Sequence, residues 1–179
     1  MKKVQEAAHG HDKEGYLCVC LFFVHMNLLK LCGTIGNIAN KHTYMPLFTW
    51  DDSFSVEIER YDEQHKAIMD ALNDLYDKVQ GGATSQDLIA EFEDIVDHSR
   101  KHFADEEQYF QEYHYELSQA HKNQHDSFIH KLGDVYDLIK KGEEVFDEEF
   151  FHFAHEWLVH HIKESDKKYI EEFHAHGLY

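Results

Sequence analysis

Proline is almost missing from this 179-residue chain: there is one, Pro46. Proline removes a backbone donor and breaks helices, so its scarcity leaves room for long ones. Cysteine is nearly as rare. Cys18, Cys20 and Cys32 all fall in the first 44 residues. No disulfide can hold the rest together, and there is no Cys-x-x-Cys-His haem attachment. That usage fits a reducing cytosol, and a cytoplasmic location is expected. Positive charge is also short. Seventeen Lys and Arg stand against 35 Asp and Glu, a formal net charge of -18. Such a surface repels nucleic acid and anionic lipid, so neither is expected as a partner. Glycines cluster in a few places, such as Gly81-Gly82 and Gly142, and so mark ends of elements.

What the chain has in excess is histidine, 17 in all. It also changes character near Met45-Pro46. Residues 1-44 hold five Lys against three Asp or Glu, so residues 45-179 carry all of the negative excess. The apolar run from Tyr16 to Cys32 is interrupted by His25, Asn27 and Lys30. It is short for a membrane span and lacks a clean small-x-small cleavage site. Residues 1-44 therefore read in three ways: a non-native or dispensable extension before a true start at Met45, a targeting or anchoring segment, or a partner-binding helix. The first is the working expectation. No membrane association is expected of residues 45-179.

Four segments after Met45 show helical periodicity. His65, Ile68, Met69, Leu72, Leu75, Tyr76 and Val79 form one stripe, with Asp62 as its cap and Gly81-Gly82 as its end. Leu88, Phe92, Ile95, Ser99, His102, Glu106, Tyr109 and Tyr113 form the second, capped by Thr84 or Ser85. Leu117, His121, His125, Phe128, Leu132, Val135 and Ile139 form the third. Phe150, Phe153, Trp157, His161, Ile162 and Asp166 form the fourth, capped by Asp147. Short connections between long amphipathic helices predict an all-α, up-down-up-down four-helix bundle over residues 45-179. An irregular N-terminal arm should pack Trp50 and Phe54 against it.

Each helix sets histidine on its apolar stripe, and two add a carboxylate. An unpaired buried carboxylate is costly, and cations offset that cost. His102 with Glu106, and His121 with His125, are i, i+4 pairs on one face. His161 and Asp166 are i, i+5, about 140° apart on an ideal helix, which suits a short side chain swinging to a second ion. A single buried histidine is more often a hydrogen-bonded core residue. Five imidazoles and two carboxylates at matching depth reverse that inference. They exceed the needs of one structural zinc and suit two neighbouring first-row ions, iron above all.

These motifs resemble the hemerythrin family in its single-domain bacterial form. The resemblance runs from Met45 to the end. It rests on Trp50-Asp-Asp-Ser-Phe54, Asp62-Glu-Gln-His65, His102-Phe-Ala-Asp-Glu106, His121 to His125, and Trp157-Leu-Val-His-His161 with Asp166. It implies one iron on His121, His125 and His161, and a second on His65 and His102. Glu106 and Asp166 would bridge the two beside an oxo or hydroxo group. The two-histidine iron would take dioxygen, in a pocket lined by Ile68, Trp157, Leu158 and Ile162. The implied function is reversible O2 binding for transport, storage or buffering, without turnover of a substrate. An O2-consuming enzyme would be the recipient. A di-iron oxidase or peroxidase, a nitric-oxide-handling enzyme, an O2 sensor and an iron store are the alternatives. His160 departs from the family, which often has Asn there.

Other motifs are discounted. His98, one turn before His102, competes with Glu106 for that site. His155-Glu156-Trp-Leu-Val159-His160 places its second histidine one residue late for a zincin protease. Glu149-Phe-Phe-His152 lacks the second Glu-x-x-His of ferritin-like carboxylate proteins. His114, His130, His174 and His176 read as solvated, and Cys18-Val-Cys20 has no partner cluster.

Because every candidate residue lies after Met45, a chain beginning there is expected to fold and bind iron and O2 like the full chain. Helical circular dichroism and iron analysis of the two side by side check this. Loss of either signal in the shorter chain would show that residues 1-44 are needed.

Overall fold

The structure, a computed structural model, describes residues 45-179. The expectations for residues 1-44 lie outside the described residues. Four long or medium helices follow in order: α1 (Glu59–Gln80), α2 (Ile89–Glu112), α3 (Ser118–Lys140) and α4 (Glu148–His160). A π-helical turn (His161–Ser165), a 3-10 turn (Asp166–Lys168) and a short helix, α5 (Ile170–Ala175), complete the described chain. There is no strand among the described residues. α1 packs on α2 and α2 on α3. The fold is the expected all-α four-helix bundle with an N-terminal arm.

The stripes become the core. Ile68, Leu72 and Leu75 of α1, Phe92 and Ile95 of α2, and Phe128, Leu132 and Ile139 of α3 are all buried. The α1–α2 and α3–α4 connections meet at one end. There Ser85 N–H donates to Glu144 (2.8 Å), and Ser85 Oγ accepts from Val145 N–H (2.9 Å). Each loop thus satisfies backbone groups of the other, which a loop on its own would leave unpaired.

The arm is pinned to α1. Phe48 exchanges two hydrogen bonds with the Asn73 side chain, and a 3-10 turn (Asp52–Phe54) buries Phe54. Trp50 is partly buried on the same surface, with Lys66 Nζ 4.6 Å from its ring centre.

The structure corrects several boundaries. Asp62 does not cap α1, which starts three residues earlier. Its carboxylate accepts from Val56 N–H (2.8 Å) and Ser55 O–H (2.6 Å), tying arm to helix. Neither Thr84 nor Ser85 caps α2, which begins at Ile89. Thr84 instead closes a local turn with Asp87, and Ser85 serves the opposite loop. Leu117 is 45% exposed, because α3 starts after it. On α4 the buried positions are Phe150, Phe151, Ala154 and Leu158, while Phe153 and Trp157 lie on the shoulder of the stripe. Both aromatic rings rest on Phe128 of α3, at 5.8 and 4.0 Å between centroids. That contact satisfies them without full burial.

Asp147 caps α4 as its sequence suggested, accepting from Phe150 N–H at 3.0 Å. Asp147→Ala is expected to lower stability by about 1 kcal/mol, the usual loss for an N-cap carboxylate. A midpoint shift in chemical denaturation measures it; an unchanged midpoint would mean the cap contributes nothing.

Candidate metal centre

Five histidines and two acids from four helical segments meet inside the bundle. His65 comes from α1, His102 and Glu106 from α2, His121 and His125 from α3, and His161 and Asp166 from the turns after α4. All seven are buried. The irregular stretch after α4 positions the last two. Asp166 N–H donates to His161 O, an i→i+5 bond that widens the turn. Such bulges recur at functional sites because they re-aim side chains within a helix. On a regular helix these residues would diverge by about 140°. Here His161 Nε2 and Asp166 Oδ1 are 3.2 Å apart.

The nitrogens face one another. His121 and His125 Nε2 both lie 3.1 Å from His161 Nε2. On the other side His65 and His102 Nε2 are 2.9 Å apart. The acids run between the two sets. Glu106 Oε2 is 3.3 Å from His121 and 3.1 Å from His125, while Oε1 is 3.6 Å from His102. Asp166 Oδ1 lies 3.1 Å from His121, while Oδ2 is 3.2 Å from His65. Each carboxylate therefore offers one oxygen to each side. Donor atoms gather into two four-residue groups, Glu106-His121-His125-His161 and His65-His102-Glu106-Asp166.

Outward hydrogen bonds set the tautomers. His125 Nδ1 is 3.1 Å from Glu107 Oε1, and a carboxylate only accepts, so the proton sits on Nδ1. Gln64 Nε2 donates to Asp105 Oδ2 at 2.6 Å, which turns Gln64 Oε1 toward His102 Nδ1 at 3.1 Å. Gln124 Oε1 accepts from His161 Nδ1 and from Ser165 O–H, both at 2.9 Å. Three imidazoles thus turn unprotonated Nε2 atoms inward. Lone pairs facing each other at about 3 Å repel, and a cation between them removes that repulsion. Glu106 Oε2 and both Asp166 oxygens are buried with no hydrogen-bond partner, and so is His65 Nδ1. Orphaned buried carboxylate oxygens fit cations. The donors present fit two of them.

Ionisation follows from the same geometry. Burial pushes His102 down to about 3 and His161 down to about 4, though nearby carboxylates pull the other way. Burial also opposes charging His121, but Asp166 and Glu106 outweigh it and raise it to about 9. For Glu106 and Asp166, burial alone would favour the protonated form. The surrounding imidazoles overcome it and hold both acids below the usual carboxylate range.

Several further side chains touch the seven. Tyr169 O–H donates to Glu106 Oε1 at 2.5 Å, and burial raises that phenol well above its usual value. Phe103 stacks on His125 at 3.9 Å and Trp157 on His161 at 4.3 Å. Gln64, Glu107 and Gln124 each sit next to a centre residue in the chain, and that adjacency is the signal by which they could be found. Of the expected pocket lining, Ile68, Leu158 and Ile162 are buried. Trp157 is partly exposed and lies over the three-histidine group. His98 is not among the residues brought together.

A helical bundle holding a buried cage of imidazoles and carboxylates defines a class: metal-binding proteins whose ligands come from facing helices. The comparisons narrow it. The hemerythrin HHE cation binding domain matches residues 56–173. The chain belongs to the hemerythrin family. It is 34% identical over 128 residues to bacteriohemerythrin of Pseudomonas aeruginosa strain LESB58, spanning 71% of this chain and 82% of that protein. It is also 34% identical over 122 residues to myohemerythrin of Theromyzon tessulatum, spanning 68% and 90%. The crystal structure of a wild-type hemerythrin superposes with a TM-score of 0.66 at 30% identity, covering 70% of this chain and 96% of that one.

These ionisations predict how metal-free protein responds to pH. His102 and His161 resist protons that the unfolded chain takes up near 6.5, so stability falls as pH drops from 6.5 toward about 4. His121 holds a proton that the unfolded chain releases near 6.5, so its contribution is lost as pH rises through about 9. Thermal midpoints of chelator-stripped protein should peak between those limits. A midpoint still rising at the alkaline end would contradict the His121 assignment.

Proposed function

We propose that residues 45-179 hold two iron ions per chain and bind dioxygen reversibly, for transport, storage or buffering. His121, His125 and His161 hold one ion in this reading, and His65 and His102 the other. Glu106 and Asp166 span both. The observation that carries it is that each buried carboxylate offers one oxygen to each histidine group. A single-ion site would leave one oxygen of each carboxylate without a cation, although Glu106 Oε1 also accepts from Tyr169.

Bound iron supplies the electrons and the open coordination position that dioxygen needs. The chain supplies everything else. Gln64, Glu107 and Gln124 hold the imidazoles in the ligating tautomer. Glu106 and Asp166 balance the cation charge in a dry interior. An ion held by His65 and His102 would have one imidazole fewer than its neighbour, and so room for an outside ligand. Ile68, Leu158 and Ile162, all buried, would line the O2 pocket in this reading, and Trp157 stacks on His161. None of these side chains offers an acidic proton, and the Tyr169 hydroxyl is engaged with Glu106. A site poor in protons and water favours keeping dioxygen bound over consuming it. An O2-consuming enzyme as recipient and a cytoplasmic setting complete the proposal. Among the described residues no helix is long and apolar enough to cross a membrane.

Anaerobic loading should give about two irons per chain, and admitting air should produce a visible band that fades on deoxygenation and returns. One tightly held ion would sink the two-ion reading. Irreversible bleaching with consumption of an added substrate would move the function to the oxidase or peroxidase class. Glu106→Ala should lose most of the iron, since it removes an oxygen from each side; full iron content would show that Glu106 is not shared.

A further inference from the structure

The two histidine groups of the buried centre are not built alike, and the differences run one way. On the three-histidine side, His125 Nδ1 donates to a carboxylate, Glu107 Oε1, at 3.1 Å. Lys122 Nζ, 3.0 Å from Glu107 Oε2, holds that carboxylate in place. His161 Nδ1 donates to Gln124 Oε1, which Ser165 O–H also fixes. A carboxylate behind an imidazole makes the inner nitrogen a stronger donor to a cation, and a ring already fixed loses less freedom when the cation arrives. On the two-histidine side, His102 has an amide partner, Gln64. His65 Nδ1 is buried and has no hydrogen-bond partner among the described residues.

Glu106 adds to the difference. Its Oε2 has no hydrogen-bond partner and lies 3.3 Å from His121 and 3.1 Å from His125. Its Oε1, the oxygen 3.6 Å from His102, already accepts from the Tyr169 hydroxyl at 2.5 Å. A cation on that side must share the oxygen with a phenol O–H. A short hydrogen bond to a carboxylate draws charge from the oxygen that accepts it, so Oε1 is the poorer metal donor of the two. Tyr169 is fully buried. Its ring is packed by Tyr61, Phe110 and Phe173, at 6.0, 5.7 and 4.5 Å between centroids, which keeps water from competing for that bond.

We propose that the centre fills in order. An ion at His121, His125 and His161 binds first and tightly. A second, at His65 and His102, binds weakly and exchanges, and the Tyr169 hydroxyl sets its affinity through Glu106 Oε1. The inference rests on the reading of the centre as a two-ion site. A one-ion form is then stable, and its second position accepts another first-row divalent ion, Zn2+ among them.

Calorimetric titration of the chelator-stripped full chain with Co2+ tests the order. Two steps of one ion each are expected, the second about tenfold weaker, the low end of what outer hydrogen-bonding partners contribute to metal affinity. Glu107→Gln keeps an acceptor for His125 but removes its charge, and should weaken the first step alone. Tyr169→Phe keeps the ring and frees Oε1. It should tighten the second step by about tenfold and leave the first as it was, whereas a purely structural role would weaken both. A second measurement uses the iron-filled chain without air. A ferrous chelator should remove one iron about tenfold faster than the other, and the half-filled chain should then take up one Zn2+. Two equal steps, or two irons leaving together, overturn the order of filling. An unchanged first step in Glu107→Gln overturns the part given to Glu107, and a second step no tighter in Tyr169→Phe overturns the part given to its hydroxyl. A chain that takes up only one ion in a large excess of Co2+ defeats the two-ion reading itself, and the inference with it.

Discussion

Two carboxylates buried among five imidazoles set the terms for the rest of this molecule. Removing a carboxylate from water costs several kcal/mol after relaxation, and that cost is offset only by nearby positive charge or donors. Glu106 and Asp166 are fully buried, and their free oxygens meet inward-turned Nε2 atoms. His121, held protonated by both acids, offsets part of that cost, and the remaining inward donors suit cations. The same burial that makes the cluster expensive makes it selective: protons are held off His102 and His161, and water is kept from the oxygens.

Holding such a cluster needs order at one remove, and the bundle supplies it across helix boundaries. Gln64 of α1 orients His102 of α2; Glu107 of α2 orients His125 of α3; Gln124 of α3 orients His161 after α4. Each orienting residue is the chain neighbour of a cluster residue, yet serves a histidine on the next helix. Packing error in one helix is thereby passed to its neighbour's ligand geometry. Arg60 extends the first of these links to the surface through Asp105, 2.5 Å away. Aromatic faces complete the walls, with Phe103 on His125 and Trp157 on His161.

His160 and His161 are adjacent in sequence, yet one side chain is exposed and the other buried. A turn of about 100° per residue is enough to separate a solvated histidine from one in the buried centre.

Much of this was legible in the sequence. The four helices of the bundle, the arm, most stripe positions of α1 to α3, the Asp147 cap and the seven buried polar residues follow from periodicity and from the cost of burying charge; α5 does not. These are local or one-dimensional properties, and a 3.6-residue period exposes them directly. Tertiary structure alone decided the rest. Ideal helix geometry separates His161 from Asp166, and only the π-helical turn after α4 brings them together. The starts of α1 and α2 depend on where Asp62 and Ser85 find partners, in the arm and in the opposite loop. Gln64, Glu107 and Gln124 look like ordinary polar surface residues, because each acts on a histidine 18 to 38 positions away. Hydrogen bonds between helices have no period, and the chain must fold before they can be read.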